Sequence, residues 1–177
     1  MKTSNFTCYK KRGAALIEIM IVLSILAILL NIALQEFKPF LANNRLENRI
    51  TLIQRALRIA RSNAETSNSV ITFCALVKNQ CDREYWHKEL TVFVDNGDIG
   101  VFDERDTVIF RLEAINKQDM LTYPRNSVNF RPDGTAGFNT GTFVYCPEYK
   151  KASLEGLALT VSQPGRVRLK DTDRCQQ

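Results

Sequence analysis

The sequence predicts an α+β fold: one long N-terminal helix, apolar in its first half and amphipathic in its second, packed on a mostly antiparallel β-sheet head. Three observations predict it. A long apolar run lies between Ala14 and Leu34, an amphipathic helical period follows, and from about residue 69 short β-rich stretches alternate with turn sequences.

The apolar run has about 21 residues, enough for a helix to cross a bilayer. Before it stand Lys2, Lys10, Lys11, Arg12 and then Gly13, with no acidic residue. A secretory signal peptide has a shorter apolar region and places its small residue after that region. Here the small residue comes first. The order predicts a precursor cut between Gly13 and Ala14, losing leader 1–13 and keeping 14–34 as a membrane and assembly helix. Basic residues before the run keep that end in the cytoplasm, so the head lies on the far side. Glu18 is costly inside an apolar helix and needs a partner. The new α-amine of Ala14, in the same or a neighbouring subunit, suits it.

The formal charge of +5 is no sign of nucleic-acid binding. Four of the 24 basic residues and none of the 19 acidic ones lie in the leader, so the mature chain is close to neutral. Any such binding requires a local patch.

Segment 35–68 continues the helix. Leu46, Ile50, Ile53, Leu57 and Ala60 follow 4-3-4-3 spacing and form one apolar face. Arg45, Arg49, Arg55, Arg58 and Arg61 fall mostly elsewhere and read as a solvated face, the alternative being a contact with nucleic acid or a neighbouring subunit. Ser and Asn cluster near Ser67–Ser69 and end the helix.

The head, 69–177, has strand signals at Val70–Leu76, Leu90–Val94, Val108–Leu112, Val128–Phe130, Thr142–Cys146 and Leu157–Ser162. Asp95–Asp98, Arg131–Gly134 and Gln163–Gly165 carry turn chemistry. The last joins 157–162 to Arg166–Lys170 as a hairpin.

Five cysteines are present. Cys8 lies in the leader, where thiols stay reduced. Cys74, Cys81, Cys146 and Cys175 lie on the oxidising side and permit three pairings. Loop closure favours Cys74–Cys81, which leaves Cys146–Cys175 to fasten the C-terminus.

No catalytic constellation appears. His87 is the one histidine and has no ligand set around it. Asp95, Asp98, Asp103, Glu104 and Asp106 do not match the calcium-loop spacing and read as a solvated acidic loop. There is no glycine-rich phosphate loop and no nucleophile motif. The chain reads as a non-enzyme without cofactor or metal.

One local patch is basic. Lys150, Lys151, Arg166, Arg168, Lys170 and Arg174 cluster late in the chain, diluted by Glu148, Glu155, Asp171 and Asp173. In a strand, Arg166, Arg168 and Lys170 share one face. Gly165 before them lets a partner approach the backbone closely. Such a row suits DNA phosphates, held without sequence preference. Basic side chains also guard exposed sheet edges.

The junction of Lys11-Arg12-Gly13 with Leu16-Ile17-Glu18 and Met20 resembles the class III signal of type IV pilins and type II secretion pseudopilins. The resemblance implies a prepilin peptidase that cuts after Gly13 and methylates Ala14, and a docking role for Glu18. The family usually begins with Phe, where this chain has Ala14. Many members also carry a helix-kinking proline where Gln35 stands; the nearest here is Pro39. Asn43-Asn44-Arg45-Leu46, Ala60-Arg61-Ser62 with Ala64, Phe130–Thr135 and Gly165-Arg166-Val167-Arg168 resemble the FimT/GspH group of minor pilins, nearest within it to FimT. That resemblance implies a low-abundance subunit at or near a pilus tip, with other major and minor pilins as partners. It also implies an inner-membrane stage before assembly and a final place on a cell-surface pilus. The Gly-Arg-x-Arg motif implies binding of extracellular DNA for natural transformation. The alternative is a structural tip pilin or secretion pseudopilin without a ligand.

Overall fold

The computed structural model describes residues 14–147 and 155–176. Gly13, Lys150 and Lys151 lie outside them. The chain divides between Phe40 and Leu41 into two units.

Helix α1 spans Ala14–Ser67 without interruption, with Pro39 inside it. Proline has no N–H, so one backbone bond of the ladder is missing there. In the first unit, the described large apolar side chains from Leu16 to Ile32 are exposed. Of the polar residues among them, Ser24 Oγ donates to Ile21 O at 2.8 Å, Asn31 Nδ2 donates to Ala27 O at 2.8 Å, and Glu18 is exposed. Among the described residues no helix is long and apolar enough to cross a membrane.

In the second unit, the 4-3-4-3 face of α1 is the buried one. Leu46, Ile50, Ile53, Leu57 and Ala60 are all at most 2% exposed and join one core with residues of both sheets. Each buried Leu or Ile contributes roughly 1.5–3 kcal/mol of transfer free energy.

The head has two antiparallel sheets where one was expected. In the first, β2 (Gln80–Cys81), β1 (Ile71–Val77), β3 (Leu90–Val94) and β4 (Thr107–Leu112) lie in that order, and β6 (Val128–Phe130) pairs with β1 beside β2. In the second the order is β5 (Met120–Thr122), β7 (Gly141–Cys146), β8 (Gly156–Val161), β9 (Val167–Thr172). Strand β2 pairs with β1 through Lys78 and Asn79, both at positive φ. That is the backbone of a tight hairpin turn, formed here without its usual glycine. The aromatic centre is Trp86, fully buried against Phe73, Tyr123 and Phe143, its Nε1 donating to Arg125 O at 2.9 Å. His87 is exposed and stacks on Tyr85.

The structure pairs Cys74 with Cys81 and Cys146 with Cys175. The first ties β1 to β2. The second ties the end of β7 to the turn that follows β9, closing a 29-residue separation.

The acidic loop departs from the expectation of full solvation. Asp95 is 5% exposed. It accepts from Thr72 Oγ1 at 2.5 Å and from Gly100 N at 2.9 Å. Thr72 in turn accepts from Asn129, which accepts from Ser127. Asp106 accepts from the backbone N–H of Asn96 and Asp103, and Asp103 pairs with Arg105. These carboxylates organise the loop, and the described residues hold no group of three or more metal-binding side chains.

Burial pushes the Asp95 carboxyl above its usual range, against the two donors that pull it down. A carboxyl raised on folding keeps its proton to higher pH in the folded state, so its contribution to stability is lost as pH rises through that raised value. Asp95→Asn keeps an oxygen for Thr72 and Gly100 but cannot ionise. Its stability relative to the parent is therefore expected to improve as pH rises from about 4. Urea unfolding of both proteins across pH 4 to 8 checks this, and a pH-independent difference contradicts it.

Candidate nucleic-acid interface

Arg166, Arg168 and Lys170 follow a hairpin turn shaped by one glycine. Gly165 N donates to Ser162 O at 2.8 Å and Ser162 N to Arg166 O at 3.0 Å. Gly165 has φ 75°. This is a short loop closed by a glycine bulge. Segment 131–135 repeats the pattern: Gly134 N donates to Arg131 O at 2.8 Å, Arg131 N to Thr135 O at 2.9 Å, and Gly134 has φ 74°. Asp133 secures this second turn by accepting from the N and Oγ1 of Thr135.

The two turns pack on each other through their glycines. A side chain at Gly165 would run into the carbonyl oxygen of Gly134, and one at Gly134 into the Glu65 carboxylate. Ala136 N donates to Gln163 O at 3.0 Å, joining the turns. Arg61 on α1 completes the junction. Its Nε bonds Glu65 Oε1 at 3.1 Å and its Nη1 donates to Gly165 O at 3.3 Å.

Three stretches far apart in sequence therefore meet at one place: Ala60-Arg61-Ser62, Arg131–Thr135 and Gly165–Arg168. Gly165, expected to let an outside partner approach the backbone, is instead buried, and its close neighbour is Gly134 of the same chain. Arg61, expected on a solvated face, is a bracket for the hairpin. Periodicity missed this because Arg61 lies just beside the apolar face.

Beyond the turn, β9 is an edge strand. It pairs with β8 from Gly156↔Thr172 to Val161↔Val167 and, among the described residues, has no strand on its other side. Val167, partly buried against the core, and Leu169, 43% exposed, stand opposite the buried Val161 and Leu159. Arg168 and Lys170 stand opposite Thr160 and Ala158, on the other face of the sheet. Arg166, opposite Ser162, has the same parity. All three cations are exposed. Strand alternation puts Asp171 with Val167 and Leu169, so the nearest acid in sequence lies off the cationic face. Among the described residues, Arg166, Arg168 and Lys170 have no carboxylate within ion-pair distance. Alternate strand positions lie about 6.7 Å apart.

Arg174 is also exposed, in the short helical turn fixed by the Cys175 disulfide. It borders a shallow hollow with Thr122, Pro124, Thr142 and Val144.

Solved structures with a similar fold include two crystal forms of the type IV minor pilin FimU of Pseudomonas aeruginosa. They align with TM-scores of 0.57 and 0.53 at 21% and 20% identity, over 74% and 71% of this chain and 92% of theirs. The minor pseudopilin EpsH of the Vibrio cholerae type 2 secretion system aligns at 15% identity over 71% of this chain and 96% of its own, with a TM-score of 0.48. No curated protein sequence matches the chain. Residues 50–166, from the buried face of α1 to the first arginine of the hairpin, match the family described as type II transport protein GspH, and the chain belongs to that family.

Proposed function

We propose that this chain is a minor pilin that holds DNA by its phosphates, without sequence preference, for uptake in natural transformation. The observation that carries the reading is the row Arg166, Arg168, Lys170: exposed, on one face of a free edge strand, with no carboxylate at hand among the described residues. Gly165 supports it by fixing where the row starts. Arg174 is an accessory contact, and Lys150 and Lys151 are assigned the same role from sequence alone.

Assembly follows from the other end of the chain. Prepilin peptidase cuts between Gly13 and Ala14, segment 14–34 holds the protein in the inner membrane, and Glu18 docks the helix among neighbouring pilins. The exposed apolar side chains from Leu16 to Ile32 support this, since such a surface needs lipid or other helices around it. The mature N-terminus is expected to be methylated Ala14. Mass spectrometry of membrane-derived protein checks it, and an intact leader or a cut beyond Leu34 contradicts it.

The description of the matched family favours a second reading, a pseudopilin of a type II secretion system with no ligand of its own. DNA retention by the head separates the two. The first reading expects equal retention of unrelated duplex sequences, falling steeply with salt. The second expects none at physiological salt.

A further inference from the structure

The segment between β4 and β5, residues 113–119, meets two arginines of α1. Arg45 Nη2 reaches Asp119 Oδ1 at 3.4 Å, and Tyr145 Oη donates to Asp119 Oδ2 at 2.6 Å. Asp119 is therefore engaged. Arg49 stands one helical turn beyond Arg45. Its Nε and Nη2 are both buried, and neither makes a hydrogen bond to any described residue. The sequence placed this side chain on a solvated face; the structure sets it in a small open cleft of about 170 Å³, lined also by Asn48, Ile115, Asn116 and Tyr145.

The two nitrogens matter together. Nε–H and the adjacent Nη2–H project in parallel from one edge of the planar guanidinium. That edge matches two oxygens of a single carboxylate or phosphate group. Burial pushes the Arg49 guanidinium below its ordinary value, with Tyr145 and Glu113 acting in the opposite sense. A cation removed from water with its donor edge unused favours any anion that fits.

We propose that this cleft is an oxyanion site in which the Arg49 side chain, turning its covered Nε–Nη2 edge toward the open side of the cleft, takes two oxygens of a carboxylate or phosphate group side-on. It lies on α1, the 113–119 segment and β7, none of which carries the β9 row. It therefore does not depend on the DNA reading.

The test uses the full chain in detergent micelles, labelled with ¹⁵N. The Arg49 Nε–Hε resonance, assigned by its loss in Arg49→Lys, is followed while sodium acetate or inorganic phosphate is added at constant ionic strength. A saturable shift is expected, absent from the exposed Arg55 and Arg58. Saturation with acetate identifies carboxylate as a ligand class; saturation with phosphate alone identifies phosphate. Glu113→Gln removes the nearby competing carboxylate and is expected to tighten binding roughly two- to fivefold. Arg49→Lys keeps the charge but loses the fork and is expected to weaken phosphate binding at least fivefold or so, read by calorimetry. An Arg49 resonance that responds to neither anion, or that only drifts with those of Arg55 and Arg58, overturns the proposal.

Discussion

Gly165→Ala is expected to destabilise the head by about 2–4 kcal/mol, with Gly165→Val worse. Two costs add. At φ 75° a residue with a Cβ strains the backbone by about 1–2 kcal/mol. The new methyl also meets the Gly134 carbonyl oxygen, a backbone atom that cannot swing aside. Overpacking of that kind costs roughly 1–3 kcal/mol. Relief by moving the 131–135 turn disturbs the Ala136 N to Gln163 O bond that joins the two turns. For a head of this size the loss lowers the melting temperature by roughly 6–15 °C. Thermal unfolding of residues 41–177 checks it, since that unit holds the whole core and both disulfides. Gly165→Ala melting within a degree or two of the parent contradicts the packed-turn description.

The same junction shows what the sequence makes legible. The core face of α1 follows from spacing alone, because burial selects apolar residues at every helical turn and little else competes there. Strands β3 and β6 are legible to the residue, being short β-rich runs between turn signals. Strands β2 and β5 are not. Each has only two or three residues and is held by pairing with a neighbour, so its own side chains carry no period to read. The split into two sheets is equally silent, since alternation along a strand does not name the strand's partners.

For the candidate site, parity along β9 places Arg166, Arg168 and Lys170 together from sequence. Register adds what parity cannot: which face meets the core, and that Asp171 is off the cationic side. Arg61 and Arg49 were both hidden in one class, arginines beside an apolar face. The structure separates them into a bracket for a turn and a half-buried cation with an unpaired donor edge. Only long-range contacts distinguish such roles.

Loss of Arg166 and Arg168 together is expected to remove most DNA binding while leaving the head folded. Both side chains are exposed and neither carries an intramolecular ion pair among the described residues, so their truncation to Gln costs little stability. Each phosphate contact contributes about 0.9 to the slope of log affinity against log salt. Removing two therefore flattens that slope by nearly two, and Lys170→Gln alone flattens it by about one. In cells, the double variant is expected to be processed and to form pili while transformation falls. That result separates a binding defect from an assembly defect.

The most direct measurement is a fluorescence-anisotropy titration of labelled duplex DNA with the head, residues 41–177, comparing the parent with Arg166→Gln/Arg168→Gln at several salt concentrations. The account predicts salt-sensitive binding by the parent, equal for unrelated sequences. It predicts a variant with the parent's melting temperature, more than tenfold or so weaker binding at low salt and a flatter salt slope. A folded variant that binds DNA as tightly as the parent, with the same slope, would contradict the β9 row as the interface and leave the ligand-free pseudopilin as the better reading.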